Sequence, residues 1–269
     1  MTNYEYIEII NNQAATPDEI KPIQKIINNR IENSSLFKVK QFGQTFIYKV
    51  SDVNTAFRNL MLAQSVLAQG VLVPDSKIFI GGGTYFEKYE IIPGTPLSVA
   101  ILNNQVSNTD IENILHDTIA ADKEISKIQI NNLAFSSQLI LHERRKYHNT
   151  KDFGKILGTL LYSINKQQAK HGDIALHHAD LNPSNILLDE NGNFKALLDL
   201  DSLALCNEYS MLTQILFMWQ NLSLDKVIEI YESVYEQKIN KHYLQSQMQL
   251  KKVKASVAKT LRKIQSQTK

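Results

Sequence analysis

Within His178-Ala179-Asp180-Leu181-Asn182-Pro183-Ser184-Asn185 a carboxylate and an amide stand five positions apart, and a second carboxylate, Asp199, follows fourteen residues after the amide. Phosphoryl transfer from a nucleoside triphosphate needs such a set. It takes one carboxylate near the attacking hydroxyl and hard oxygen ligands for Mg²⁺ beside the phosphates. A tight loop can present Asp180 and Asn185 together. Short strands at 186–188 and 194–200, joined by Asp189-Glu190-Asn191-Gly192-Asn193, then read as a hairpin that returns Asp199 to face Asn185 across a shared metal. Asp180 is the candidate catalytic residue, and Asn185 and Asp199 are the candidate metal ligands.

The elements that must position these residues follow from local patterns. Thr16-Pro17-Asp18-Glu19 combines an N-cap, a first-turn proline and a capping-box glutamate, which predicts a helix start. Alternation at 36–40 and 45–50 around Gln41-Phe42-Gly43-Gln44 predicts a β-hairpin. Residues 53–69 carry Phe57, Leu60, Met61, Gln64 and Leu67 near helical spacing, with Gly70 as the stop. Strands at 77–80 and 85–92 flank Gly81-Gly82-Gly83, which is read as a hairpin turn because it precedes no helix. After Pro93-Gly94-Thr95-Pro96 helical patterns dominate. The expected organisation is a small strand-rich N-lobe, 1–93, and a larger, mainly helical C-lobe, 94–269, with a cleft between them as the place for a ligand.

Composition narrows the classes. The chain has 269 residues, 43% of them hydrophobic, and one cysteine, Cys206, which excludes an internal disulfide and fits a reducing compartment. Neither a spanning apolar run nor a secretory signal pattern is present, so the expectation is a cytoplasmic protein. From Gln237 onward there are nine basic residues and no acidic one, so the net charge of +2 covers a body that carries −7. An acidic body argues against nucleic acid as the main partner and suits a cationic substrate. The C-terminal stripe Leu250, Val253, Val257, Leu261 and Ile264 reads as packed on the C-lobe, with an anionic membrane or partner surface as the alternative.

The loop resembles the kinase pattern H-x-D-x-x-x-x-N followed by a metal-binding Asp, with Ala179 in place of the arginine of protein kinases. In this it is similar to the aminoglycoside phosphotransferase and choline kinase superfamily. Asp199-Leu200-Asp201-Ser202 resembles the Asp-Leu-Asp-Thr of the N-acetylhexosamine kinases in that group. The resemblance covers about Glu32 to Asp201. It implies an α+β, two-lobed protein-kinase-like fold that uses ATP and Mg²⁺ to phosphorylate a small-molecule hydroxyl. A sugar or amino sugar ranks before an amino alcohol or an aminoglycoside.

The resemblance also implies nucleotide-binding residues. These are Lys49 on its strand for the α- and β-phosphates, Ser34 and Ser35 in a phosphate-covering loop, the backbone of Glu90 and Ile92 for adenine, and Asn185. The acidic residue expected on helix 53–69 to pair with Lys49 is absent. Asn59 falls about where it belongs, with Gln64 on the same helix, so the ion pair is expected to be absent or replaced by an amide contact. Asn59→Glu is expected to leave activity intact or improve it if Asn59 faces Lys49. His171-Gly172-Asp173 copies a superfamily tripeptide but has His178, not Asn, five residues after its Asp, and is read as an exposed turn. His142-Glu143-Arg144-Arg145-Lys146 reads as a solvated helical face. His177 and His178 are expected to be structural. A nucleotide-binding regulator without turnover is the first alternative, suggested by the missing acidic residue. A protein kinase is the second, disfavoured by Ala179 and by the lack of an activation segment.

Overall fold

The computed structural model describes residues 3–13, 19–22, 25–27, 30–32, 36–129, 174–219 and 221–267. One hairpin is β4 (Leu36–Gln41) with β5 (Gln44–Ser51), in which Gln41 lies opposite Gln44. Phe42 and Gly43 form the two-residue turn with φ of 51° and 76°. Two positive φ values give the type I′ turn whose twist suits a tight hairpin. The chain divides into two units, Met1–Gly94 with Ala196–Asp201, and Thr95–Lys195 with Ser202–Lys269.

In the first unit, helix α1 (Asn3–Gln13) precedes β1 (Glu19–Pro22) and the small hairpin β2 (Lys25–Ile27) and β3 (Arg30–Glu32). After β5 come α2 (Val53–Ala68), β6 (Ser76–Gly81) and β7 (Thr84–Glu90). The sheet order is β1-β4-β5-β7-β6, each pair antiparallel. Alternation sends Phe37, Val39, Phe46, Tyr48 and Phe86 to one face, where Tyr6 and Ile10 of α1 cover them. Each large apolar side chain buried there contributes about 1.5–3 kcal/mol. The opposite face carries Lys49 and Glu87, register partners on β5 and β7, and it meets α2. Asp52 caps α2 by accepting from Thr55 N, and Gly70 at φ 79° ends it. The Gly81-Gly82-Gly83 hairpin forms as expected. A Cβ on Gly82 would meet the Ile9 side chain of α1 at 3.0 Å.

The helix expected to run on from Thr16-Pro17-Asp18-Glu19 is overturned at Glu19, which is strand. Thr16, Pro17 and Asp18 lie outside the described residues, and Glu19 opens β1 opposite Lys40. A cap stabilises by about 1 kcal/mol, which is little against a four-residue pairing on a free strand edge. The helix lies earlier, at 3–13, where Tyr6, Ile7, Ile9 and Ile10 cover the sheet.

The second unit begins with β8 (Thr95–Pro96), α3 (Leu97–Leu102) and α4 (Asn108–Ser126), the last opened by a Ser107/Asp110 capping box. Then come β9 (Ala175–His178), a 3-10 turn (Pro183–Asn185) and β10 (Ile186–Leu188), which pairs with β8. In the turn that follows, the Asp189 carboxylate accepts from the backbone N–H groups of Asn191 and Asn193. Strand β11 (Phe194–Leu197) leads back to the first unit, where Leu197 N donates to Leu72 O at 3.0 Å. It is shorter than the 194–200 expected, because Asp199 adopts φ 63° and a 3-10 turn, Leu200–Ser202, follows. β12 (Leu203–Cys206), α5 (Glu208–Met218), α6 (Leu224–Tyr235) and α7 (Lys241–Gln267) complete the chain.

Helix α7 buries Leu244, and Tyr243 meets Tyr209 of α5 edge-on at 4.6 Å. The packed stripe expected farther along does not hold at Val253, which is 57% exposed two residues after Lys251, whose ammonium bonds Gln214 of α5. Val257, Leu261 and Ile264 have side chains outside the described residues. Among the described residues no helix is long and apolar enough to cross a membrane.

The interior of the second unit is organised around a carboxylate. Asp122 lies on the buried stripe of α4 with Leu115, Thr118, Ile119 and Ile125 and is fully buried. It accepts from His177 Nδ1 at 2.7 Å, from the backbone N of His178 at 2.8 Å and from the Tyr235 hydroxyl at 3.2 Å. Both histidines are buried, in the structural role expected of them. A carboxylate accepts only, so His177 Nδ1 carries the proton. Burial alone would lower the pKa of His177, but the Asp122 charge and hydrogen bond outweigh it and raise the value. Asp122→Ala is expected to destabilise the protein by about 3–5 kcal/mol in urea melts, because it strands buried partners. Since the folded pKa of His177 is raised, the stability from this pair is complete below about pH 6.5 and is lost as the pH rises through the folded value. Urea melts between pH 6 and 9 should show that decline, and His177→Gln should flatten it.

Candidate active site

Strand β9 ends at His178, and the chain then turns through the loop that carries Asp180. The loop is fixed from several sides. Ala179 N donates to Ser202 O at 2.9 Å, Asn182 N to Asp180 O at 2.8 Å, and the Trp219 indole to Leu181 O at 2.7 Å. The side chain of Asn182 caps the 3-10 turn by accepting from Ser184 N. Proline at the first position of that turn has the φ it needs and lacks a donor that would go unused.

This scaffold brings Asp180 and Asn185 together. Asn185 Nδ2 donates to the Asp180 backbone carbonyl at 2.9 Å and reaches its Oδ2 at 3.4 Å. The other carboxylate oxygen, Oδ1, accepts from Gln214 Nε2 of α5 at 2.8 Å. Gln214 in turn accepts through Oε1 from the Lys251 ammonium of α7, which also lies 5.6 Å from the centre of the Phe217 ring. The half-buried carboxylate is therefore held by two amides, one of them steadied by a cation. Held that way it can take a proton from a hydroxyl placed beside it. The sequence reading missed Gln214 and Lys251. They lie 34 and 71 positions from Asp180, in helices whose patterns show only packing.

A second group forms in the first unit. On the α2 side of the sheet the buried Glu87 carboxylate accepts from Asn59 Nδ2 at 2.8 Å, from the Tyr89 hydroxyl at 3.0 Å and from the Ser51 hydroxyl. Burial and the adjacent Glu87 charge push the Tyr89 phenol well above its ordinary value. Lys49 is not solvent-facing. Its side chain is 20% exposed, and its ammonium bonds Asp201 Oδ2. Asp201 Oδ1 accepts from Asn59 Nδ2, with Arg58 Nη2 at 3.8 Å. Burial alone would raise the pKa of Asp201, but Lys49, Asn59 and Arg58 together lower it.

Of the two expectations for Lys49, the amide contact is corrected: no hydrogen bond joins it to Asn59 among those of the described residues. Asn59 spends its N–H groups on two carboxylates, and its Oδ1 accepts from Arg58. The partner of Lys49 is an aspartate. Asn59→Glu is now expected to be harmful instead, because a carboxylate there would face Glu87 and Asp201.

The remaining candidates are placed individually. Asp199 is exposed at φ 63°, a left-handed conformation that a non-glycine residue holds at a cost of about 1–2 kcal/mol and that concentrates at functional sites. Glu90 ends β7 opposite Phe46, and Ile92 is half-buried just after it. Ser34 and Ser35, as well as His171-Gly172-Asp173 and His142–Lys146, lie outside the described residues.

Residues 57–207, more than half of the chain and including Asp180, Asn185 and Asp199, match the model of the phosphotransferase enzyme family. The chain belongs to that family. It is an enzyme that moves phosphoryl groups. No curated protein matches it. Solved structures do, at the level of fold. A gentamicin complex of APH(2'')-IIa aligns with TM-score 0.65 at 14% identity, over 94% of this chain and 88% of the other. ADP-bound aminoglycoside phosphotransferase APH(2'')-Ib gives TM-score 0.61 at 14% identity, over 96% and 89%. The GDP complex of aminoglycoside 2'-phosphotransferase-IIIa gives 0.61 at 12% identity, over 99% and 93%. The kinase-like α+β fold read from the sequence is the fold of this phosphotransferase.

Removing the amide on Asp180 tests what the loop geometry does. Gln214→Leu is expected to lower phosphotransfer turnover by roughly tenfold through misplacement of the carboxylate, with the melting temperature nearly unchanged. Steady-state kinetics and a thermal melt on the same preparation would measure both.

Proposed function

We propose that this phosphotransferase moves the γ-phosphoryl group of ATP, with Mg²⁺, to a hydroxyl of a small molecule. The observation that carries the reading is the half-buried Asp180 carboxylate held between Gln214 and Asn185. Asp180 orients the acceptor hydroxyl and takes its proton as the phosphoryl group moves in line. Lys49 holds the α- and β-phosphates. Ser34 and Ser35 cover the phosphates, and the backbone of Glu90 and Ile92 receives the adenine. Residues 1–93 hold the nucleotide, and 94–269 carry the catalytic loop and select the acceptor.

The donor set fits Mg²⁺. Asn185 commits its N–H groups to Asp180 and so leaves Oδ1 as an oxygen donor, and Asp199 is an exposed carboxylate. These are the hard oxygens that this cation takes. The chemistry that a bound Mg²⁺ supplies there is neutralisation of the phosphate charge.

For the acceptor we favour a sugar or amino sugar, then an amino alcohol or aminoglycoside. Asp199-Leu200-Asp201-Ser202 supports the first choice, and the aminoglycoside-binding fold neighbours support an amino-sugar acceptor more broadly. The protein is assigned to the cytoplasm with a small-molecule partner and no nucleic-acid role.

A panel of sugars, amino alcohols and aminoglycosides, each with ATP and with GTP, would identify the acceptor and the donor. Turnover on none of them would remove the small-molecule reading. Asp180→Ala is expected to reduce turnover at least about a hundredfold while MgATP affinity stays within about twofold, read by kinetics beside calorimetry. Asp199→Asn is expected to abolish the strengthening of ATP binding by Mg²⁺, since an amide lacks the charge that the cation prefers. Unchanged metal dependence would place the ion elsewhere.

A further inference from the structure

Lys49 is a mostly buried cation on a strand, and a buried cation requires an opposite charge. Its neighbours offer two candidates besides Asp201. Glu87 is its register partner on β7, but the Glu87 oxygens are taken by Ser51, Asn59 and Tyr89. Helix α2 presents Asn59, which carries no charge. The carboxylate on the ammonium comes instead from the 3-10 turn Leu200–Ser202, more than 150 residues along the chain.

The two oxygens of Asp201 have divided tasks. Oδ1 is anchored to α2, accepting from Asn59 with Arg58 at 3.8 Å, and Oδ2 meets Lys49. A carboxylate tied down on one side holds the ammonium in one place and leaves its other N–H groups to point elsewhere. The anchor stands two residues after Asp199, so one short turn carries both an exposed carboxylate at positive φ and the counter-charge of the strand lysine.

We propose that Asp201 is the positioning residue for Lys49. It supplies from the turn after β11 the counter-charge that α2 lacks, and it presets the ammonium for the phosphates of the nucleotide. The proposal rests on the reading of Lys49 as the phosphate-binding lysine. A chain with Asn59 on α2 is then complete for turnover, which counts against the reading of a nucleotide-binding regulator.

Calorimetric titration of the whole protein with ADP and with adenosine, both in EDTA so that no metal contributes, tests it. Asp201→Asn is expected to weaken ADP about tenfold, the size of one charge-assisted hydrogen bond, and to leave adenosine unchanged. Asp201→Glu, which keeps the charge, is expected to recover most of the loss. Lys49→Met is expected to weaken ADP similarly, and the double variant Lys49→Met/Asp201→Asn to be no worse than Lys49→Met alone. ADP bound by Asp201→Asn as tightly as by the parent, or more tightly, overturns the proposal, since Asp201 would then be idle or a competitor of the phosphates. Equal losses for ADP and adenosine also overturn it, because the carboxylate would then support the fold and not the lysine. If the parent protein binds neither ligand, the nucleotide reading itself falls and takes this one with it.

Discussion

A carboxylate taken fully out of water is among the least favourable things a chain can bury, and Asp122 is tolerable only because three donors converge on it. Those donors are what make it useful. His177 and the backbone of His178 belong to β9, the strand that delivers Asp180 two residues later, and Tyr235 ends α6. Helix α4, strand β9 and helix α6 are therefore tied to one another through a single side chain. The backbone pairing of β9 with β12 and the Trp219 contact at Leu181 O then leave the loop little freedom. A carboxylate in the role proposed for Asp180 gains from a support this rigid, because a displacement of about 1 Å can lower a rate a hundredfold.

The same logic recurs around Asp180 with neutral partners. Two amides approach its side chain, Gln214 on one oxygen and Asn185 on the other. An arginine or lysine in direct contact would favour the charged form and make the group a poorer proton acceptor. Here the cation, Lys251, stands one residue removed, behind Gln214. It orients the amide without neutralising the carboxylate. This gives the basic C-terminal helix a structural purpose in its first half.

What the sequence showed depended on how local each determinant is. The two hairpins were legible because Phe42-Gly43 and Gly82-Gly83 sit between alternating runs, and a two-residue turn leaves one register. Helix α2 was legible from its spacing and from Gly70. The meeting of Asp180 and Asn185 in the loop at 178–185 was legible because their interval suits one tight turn. The helix expected to run on from Thr16 failed at Glu19, where a local cap competes with a strand edge that only the fold creates. Asp122 left a readable trace, an acidic residue on an apolar helical stripe. Gln214, Lys251 and the pairing of Lys49 with Asp201 left none, since they join segments far apart in the chain. Asp201 was in view within Asp199-Leu200-Asp201-Ser202, yet nothing about its neighbours in sequence says which cation it meets.

Asn59 shows most clearly why the residue type at one position cannot be judged alone. Read along the helix, it is a missing acid. Read in place, it is the neutral member of a cluster that already holds two carboxylates, Glu87 and Asp201, and two cations, Lys49 and Arg58. Two charges of each sign can balance in a poorly solvated setting. A third carboxylate at position 59 would leave one unpaired, and an unpaired buried charge costs several kcal/mol. It would also remove the N–H groups that now satisfy Glu87 and Asp201 together, turning two hydrogen bonds into two like-charge contacts. The amide at 59 and the carboxylate at 201 are thus one arrangement: once Asp201 supplies the charge for Lys49, the helix position beside it has to donate.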